Sequence, residues 1–375
     1  MALQGHATPA GTARFAARQQ AVAPFAALDS NFRTFGGLAI SSLGFGMSGG
    51  DPTDEVDAAY REAVKAAVAA GCNHFDVAPS FRGQRSEVVL GQALAELVAS
   101  GATRRDELIV ASKAGFIPYR SAAPGDAAHY VYDRFVAPGI AEPDDFAGGI
   151  HCMAPRFLGQ QIAWSLRNMQ LRALDIFYLQ NPEAQLAFVD RETFRRRVQL
   201  ACARLEEEVD AGRIGCYGLA TWDGLRVAPL ADNYMSLEVL RRLVTEVAGP
   251  DHHLRVIQLP INPAMSEAVT LRNQPVKNSV LTVLSAAADL GFTVVASAAL
   301  GQGHMPPRMQ EAMQTVFPSL GSTGQRSLQF VRSLPGVISA LFGSTDVEHV
   351  RENLAVFARP PDPHAALQLA HMKGR

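Results

Sequence analysis

No stretch of this 375-residue chain approaches the ~18 consecutive apolar residues of a membrane span. Neither sign of charge is in excess: 34 basic and 36 acidic residues leave a net charge of −2. That balance excludes a general electrostatic attraction to nucleic acid or to an anionic membrane. Cysteine is scarce as well. Cys72, Cys152, Cys202 and Cys216 are scattered, with no C-x-x-C pair and no partnered pattern. The chain therefore offers no disulfide framework, and four reduced thiols in a cytoplasmic protein are expected. The first 30 residues, rich in Ala, Gln and Arg, lack the continuous apolar core of a secretory signal. Residues 1–30 are expected to form a flexible extension and residues 359–375 a tail.

What is present is core material. Hydrophobic residues make up 48 % of the chain and charged residues 19 %, a globular composition at a length that one large α/β domain can use. Arg195-Arg196-Arg197 is expected on a solvated helix face, and His252-His253 at a solvated strand entrance. His151-Cys152 has no other ligand at metal-binding spacing, so a loop role and no metal site are expected.

The order of elements is regular. Phe32 to Ser42 predicts a hairpin turning at Gly36-Gly37. Leu43-Gly44-Phe45-Gly46-Met47 is a short strand, followed by a helix from Asp54 to about Ala70 with Gly71 past its end. His74–Pro79 is the next strand, followed by a helix from Ser86. Glu107–Lys113 is the third. Residues 116–153 then interrupt the rhythm with prolines, glycines and three tyrosines, predicting a packed functional lid. Regularity resumes with helix Pro155–Gln170, strand Asp175–Leu179, helix Glu192–Ala211 and strand Gly215–Thr221. Helix Ser236–Val247, strand Arg255–Ile261, helix Val276–Leu290 and strand Phe292–Ala299 come next. Helix Thr323–Ser333, strand Val337–Gly343 and helix Asp346–Phe357 complete the series. Eight strand–helix units with continuous apolar strands predict a closed (β/α)8 barrel over residues 31–358, with an N-terminal hairpin and a long loop after strand three.

In such a barrel the site lies at the C-terminal ends of the strands. Those ends are Gly46-Met47, Asp76 to Phe81, Lys113, Gln180-Asn181, Thr221-Trp222, Gln258 to Asn262, Ser297 to Gly301, and Gly343-Ser344-Thr345. Asp76 and Lys113 emerge from neighbouring strands and are expected to form a buried pair at the mouth.

The chain resembles the aldo-keto reductase family from about Phe32 to Phe357. The resemblance rests on Leu43-Gly44-Phe45-Gly46, Phe75-Asp76-Val77-Ala78-Pro79, Ser86-Glu87-Val88-Val89-Leu90-Gly91, Ala111-Ser112-Lys113, Asn181-Pro182-Glu183, and Gly343 followed by His349-Val350-Arg351-Glu352-Asn353-Leu354. It implies NADPH- or NADH-dependent carbonyl reduction, in which a Tyr protonates the developing oxyanion, assisted by Asp, Lys and His. The resemblance carries the Asp onto Asp76 and the Lys onto Lys113. It carries the Tyr onto Phe81 and the His onto Gln180, so this chain is an atypical member: Phe has no proton to give, and Gln cannot titrate.

For the cofactor, Gly46 and Met47 are among the expected binding residues. The carboxamide-holding pair falls on Ala220 and Thr221, with the strand-six amide at Gln258, and the stacking aromatic is replaced by Ser297. Gly343, Ser344, Thr345, Glu352 and Asn353 stand where the resemblance puts the adenosine end, with His349 at a position often Arg in NADP-preferring members. Leu300 and Gly301 are also expected to touch the cofactor, the latter in a Gly301-Gln302-Gly303 turn that resembles a phosphate-approaching loop. The strand-eight loop and helix start are expected to offer backbone N–H groups to a phosphate. NADP or NAD is thus the expected cofactor, with a small-molecule substrate and neither nucleic acid nor membrane as partner.

Three functions remain open on the sequence. The first is an NAD(P)H oxidoreductase for a C=O or C=N substrate in specialised metabolism. The second is a non-redox lyase, dehydratase or cyclase using Asp76 and Lys113. The third is a catalytically silent binding barrel.

Overall fold

Apolar runs with no polar alternation must be covered on both faces, and a parallel sheet closed on itself inside a ring of helices provides that cover. The computed structural model, which describes residues 2–22, 29–119 and 125–372, has this architecture. A hairpin of β1 (Phe32–Phe35) and β2 (Leu38–Ser41) turns at Gly36-Gly37, both with positive φ. The barrel begins with β3 (Leu43–Gly46), β4 (His74–Asp76) and β5 (Ile109–Ala114). A ribbon within the lid, β6 (Phe146–Ala147) and β7 (His151–Cys152), separates these from β8 (Leu174–Gln180), β9 (Ile214–Ala220) and β10 (Leu254–Pro260). A second small hairpin, β11 (Gln274–Val276) and β12 (Ser279–Leu281), precedes β13 (Thr293–Ser297) and β14 (Val337–Phe342). β14 pairs in parallel with β3 and closes the barrel.

The lower interior is filled by Ile109, Ile176, Val256, Val295 and Ile338, with Phe35 and Ile40 of the hairpin packed beneath them. The upper layer is polar. Asp76, Lys113 and Gln258 lie toward the C-terminal ends of β4, β5 and β10 and are all buried.

Four expectations are corrected. The described part of the N-terminal stretch is not a flexible extension: Pro9–Val22 is a helix with Phe15 fully buried. Arg14 and Arg18 of that helix pair with the buried Glu107, and the Ala7 N–H donates to Asp175 Oδ1 at 2.7 Å. The tail likewise contains a helix, Pro363–His371, that buries Ala366 and Leu369. The helix expected over Val276–Leu290 is only Val283–Asp289, because Pro275 and the left-handed Lys277 build the β11–β12 hairpin before it. His252 is buried, and His253 pairs with Glu206, so neither is simply solvated.

The described part of the lid is packed, as its aromatic content suggested; residues 120–124 lie outside the described residues. Phe135 is fully buried against Tyr130, Phe146, Phe157 and Trp164.

Candidate active site

Asp76 closes β4 and Lys113 lies on the adjacent β5, so the pleat turns both side chains into the mouth. They form a direct ion pair through Lys113 Nζ and Asp76 Oδ1. Gln258, from β10 across the barrel, donates to Asp76 Oδ2 at 2.8 Å. Both carboxylate oxygens are therefore occupied. Lys113 is 3 % exposed, and burial draws its pKa below the ordinary lysine value while Asp76 opposes that shift. Its ammonium lies 5.1 Å from the centroid of the Tyr178 ring and 5.6 Å from that of Phe81. The Tyr178 hydroxyl is sealed in the interior, where burial and Asp76 push its pKa well above 10. That leaves it poorly suited to give a proton to the mouth.

Phe81 reaches its place through a strained turn. Arg82, Gly83 and Gln84 are all left-handed, with φ of 49°, 62° and 71°, a conformation that costs a side-chain-bearing residue on the order of 1 kcal/mol or more. The side chains hold it there. Arg82 donates to the Asp51 carbonyl at 2.9 Å and to Asp57 Oδ1 at 2.7 Å, and stacks over Tyr60. Gln84 donates to the Pro118 carbonyl and accepts from Asn168, each at 3.2 Å. The loop that presents Phe81 is thus tied to the β3 loop, the root of the lid and a neighbouring helix.

Gln180 accepts from Ser80 Oγ at 3.1 Å through its side chain. Its backbone carbonyl accepts from His151 Nε2 at 2.7 Å, while Gln185 donates to His151 Nδ1 at 3.0 Å. These partners fix a neutral imidazole protonated at Nε2, and burial lowers its pKa to about 4. Arg197 completes the brace by donating to Gln185 Oε1 and to the Asp144 carbonyl. It is therefore not part of a solvated face. Gly115 must lack a side chain here, since a Cβ would lie 2.4 Å from the Gln180 carbonyl oxygen and 2.6 Å from His151 Nε2. His151 is a lid anchor, in line with the expected loop role.

The expected cofactor positions divide into two groups. Leu300, Gly343, Ser344, His349, Glu352 and Asn353 line one cleft of about 360 Å3, with Gly301 and Thr345 beside them in the chain. Ser322, Thr323 and Gly324 belong to the same cleft and were missed. Their signal was the Ser-Thr-Gly helix start, where Ser322 Oγ accepts from the Gln325 N–H at 3.2 Å. The phosphate site expected at the next helix start is corrected: Asp346 caps that helix and already accepts from the N–H groups of Glu348 and His349.

The second group does not converge. The Gln258 amide is turned to Asp76, and Thr221 Oγ1 donates to Glu183 Oε1 at 2.7 Å. Glu183 also accepts from the Trp222 N–H at 2.6 Å, and burial raises its pKa. Ser297 is half-buried and offers no ring, and Met47 is fully buried beyond Gly46.

Among the described residues no cluster of His, Cys, Asp and Glu is arranged to hold a metal, and no helix is long and apolar enough to cross a membrane. A family model described as the aldo/keto reductase family matches residues 42–368. No curated protein matches the chain. Among solved structures, an aldo/keto reductase from Klebsiella pneumoniae in complex with NADP and acetate is 17 % identical, with a TM-score of 0.63, covering 92 % of this chain and 95 % of that one. A thermostable aldo-keto reductase in complex with the inhibitor epalrestat is likewise 17 % identical, with a TM-score of 0.62 over 92 % and 99 % of the two chains. An aldose reductase from Schistosoma japonicum is 18 % identical, with a TM-score of 0.57 over 90 % and 89 %.

Proposed function

Because the chain belongs to the aldo/keto reductase family, we propose that it is an oxidoreductase that takes a reduced dinucleotide at the strand-eight cleft and acts on a C=N substrate of the iminium type. The observation that carries this reading is the Phe81 ring beside Lys113, in the place where the resemblance puts a phenol. A carbonyl that gains a hydride becomes an oxyanion and needs an acid at hand. An iminium becomes a neutral amine and needs none.

The residues present fit the adenosine half of the cofactor. Gly343 lets the end of β14 pack against β3, since a Cβ there would lie 2.3 Å from the Gly46 carbonyl oxygen, and Ser344, Glu352 and Asn353 supply polar groups to the cleft. The cleft lining includes Glu352 and His349 but no Lys or Arg, and the nearby Arg351 is paired with Glu348. A second phosphate on the ribose would meet no fixed cation, which favours NADH over NADPH. The residues do not fit the family's carboxamide contacts, since Gln258 and Thr221 are committed to Asp76 and Glu183. A reduced nicotinamide, when bound, supplies hydride.

The chain's own residues set the surroundings of the reacting carbon. Asp76 and Lys113 form a pair of zero net charge that does not repel a cationic substrate. Phe81 excludes water from that pair, and Gln180 with Ser80 offers hydrogen bonds beside it. The non-redox alternative asks Asp76 to act as a base, and both of its oxygens already accept hydrogen bonds.

The test is turnover of NADH with a cyclic imine panel and a matched ketone panel. Imine turnover without ketone turnover, and a gain of ketone turnover in Phe81→Tyr, is the expected outcome. Ketone turnover by the unaltered protein that equals or exceeds imine turnover would refute the reading.

A further inference from the structure

At the closed end of the barrel, the buried Arg332 and the half-buried Arg33 have no carboxylate partner among the described residues. Arg332, near the end of the helix Thr323–Ser333, is fully enclosed. Its guanidinium donates to Asn31 Oδ1 at 2.7 Å and Ser42 Oγ at 3.2 Å, and to the carbonyls of Arg359 at 2.9 Å and Val356 at 3.1 Å. Its remaining partner is Gln329, at 3.3 Å. Every one of these is neutral. Arg33, on β1, donates from Nη1 to the Val337 carbonyl and from Nη2 to the Arg332 carbonyl, again neutral groups. A guanidinium carries five N–H donors, so those two bonds leave others of the Arg33 fork for a further acceptor.

Among the described residues no carboxylate pairs with either guanidinium. Asp362, between the lining residues Pro361 and Pro363, turns its carboxylate to the Ala365 N–H at 2.9 Å. The energetic signature agrees: burial lowers Arg33 to about 10, and burial together with the nearby Arg33 lowers Arg332 to about 9. The C-terminal dipole of the helix that carries Arg332 supplies roughly half a negative charge. Set against two cations, it leaves more than one positive charge unbalanced in a low-dielectric region, where a charge is normally paired.

Arg33 is only half-buried, because it borders a pocket of about 420 Å3 between the hairpin and the starts of β13 and β14. Thr34, Thr293 and Ser333 share that lining. Ser333 Oγ accepts from the Asp362 N–H at 2.8 Å, so its own proton is free to be donated. A guanidinium fork with hydroxyl donors around it is suited to tetrahedral oxyanions.

We propose that this pocket binds a doubly charged oxyanion, of which inorganic phosphate is the simplest, with Arg33 as its charged contact and the hydroxyls of Thr34, Thr293 and Ser333 as further donors. A dianion balances both arginines, whereas a monocarboxylate balances one. The pocket lies at the opposite end of the barrel from Asp76 and Lys113, so the ligand acts on the stability of the barrel floor and not on the chemistry.

The test uses the full chain with inorganic phosphate at pH 8, titrated at constant ionic strength and followed by thermal unfolding and equilibrium dialysis. The proposal expects a saturable rise in unfolding temperature, a similar rise with sulfate, little with acetate, and loss of the phosphate effect in Arg33→Gln. A rise of equal size in Arg33→Gln, or no saturable rise at all, would overturn it. If Arg33→Gln fails to fold, the double variant Thr34→Val with Thr293→Val serves: phosphate binding weaker by about tenfold is expected, and unchanged binding would overturn the proposal.

Discussion

Lys113 illustrates what a single buried charge demands of its neighbours. Its ammonium is held by Asp76 and faced by two aromatic rings. Removing one partner of such a pair leaves a bare charge, which typically costs about 3–5 kcal/mol. Asp76→Asn is therefore expected to lower unfolding free energy in urea by about that amount. Adding Lys113→Met is expected to recover much of the loss; a double variant as unstable as the sum of the two single losses would contradict the pairing.

Two buried histidines make a second residue-scale prediction. His74 and His151 are both lowered by burial from 6.5 to about 4. A base whose folded pKa is depressed gives stability that is complete above 6.5 and lost as pH falls through 4. Each contributes on the order of 3 kcal/mol across that window. Urea midpoints should fall between pH 7 and pH 4.5, and His151→Gln should flatten that fall.

At this scale the sequence was informative about position and silent about partners. Strand pattern was enough to bring Asp76 and Lys113 to the mouth. It could not say that Gln258 turns to Asp76 or Thr221 to Glu183, because periodicity fixes a face and not a hydrogen bond. The left-handed turn at 82–84 was hidden because Arg and Gln do not signal positive φ.

Among the elements, the N-terminal helix is the largest departure from expectation. Its composition has no strong apolar stripe, and its anchoring depends on Phe15 and on two arginines that meet Glu107 from a distant loop. The Glu107 side chain is fully buried, and these arginines, with Thr103, bring its pKa down to about 2 despite burial. Its contribution to stability is present above 4.5 and lost as pH falls through 2. Replacing both Arg14 and Arg18 by Ala is expected to cost about 3 kcal/mol at neutral pH. A flexible extension would show no loss.

The lid gives the complementary case. Its tyrosines and prolines foretold packing, while the brace from His151 through Gln185 to Arg197 joins residues too far apart in sequence to be paired by pattern. Arg197→Ala should speed amide exchange across β6 and β7 with little change in the global unfolding midpoint. Unchanged exchange there would show that the brace does not hold the lid.

For the whole molecule, the eight-strand order was legible because every barrel strand is an apolar run bounded by turn or capping residues. The family resemblance and the closed barrel agree. The two ends of the proposed cofactor site nevertheless fare differently, with the strand-eight cleft assembled and the proposed carboxamide partners engaged elsewhere. The claim that the protein is still a dinucleotide-dependent enzyme rests on that cleft. Trp222 stands 37 % exposed at the end of β9, whereas Trp164, the second of the chain's two tryptophans, is buried. The most direct measurement is a titration of the purified protein with NADH and, separately, NADPH, read by quenching of tryptophan emission and by the nicotinamide signal. Saturable binding with NADH tighter than NADPH is the expected result. Absence of saturable binding by either nucleotide would contradict the account.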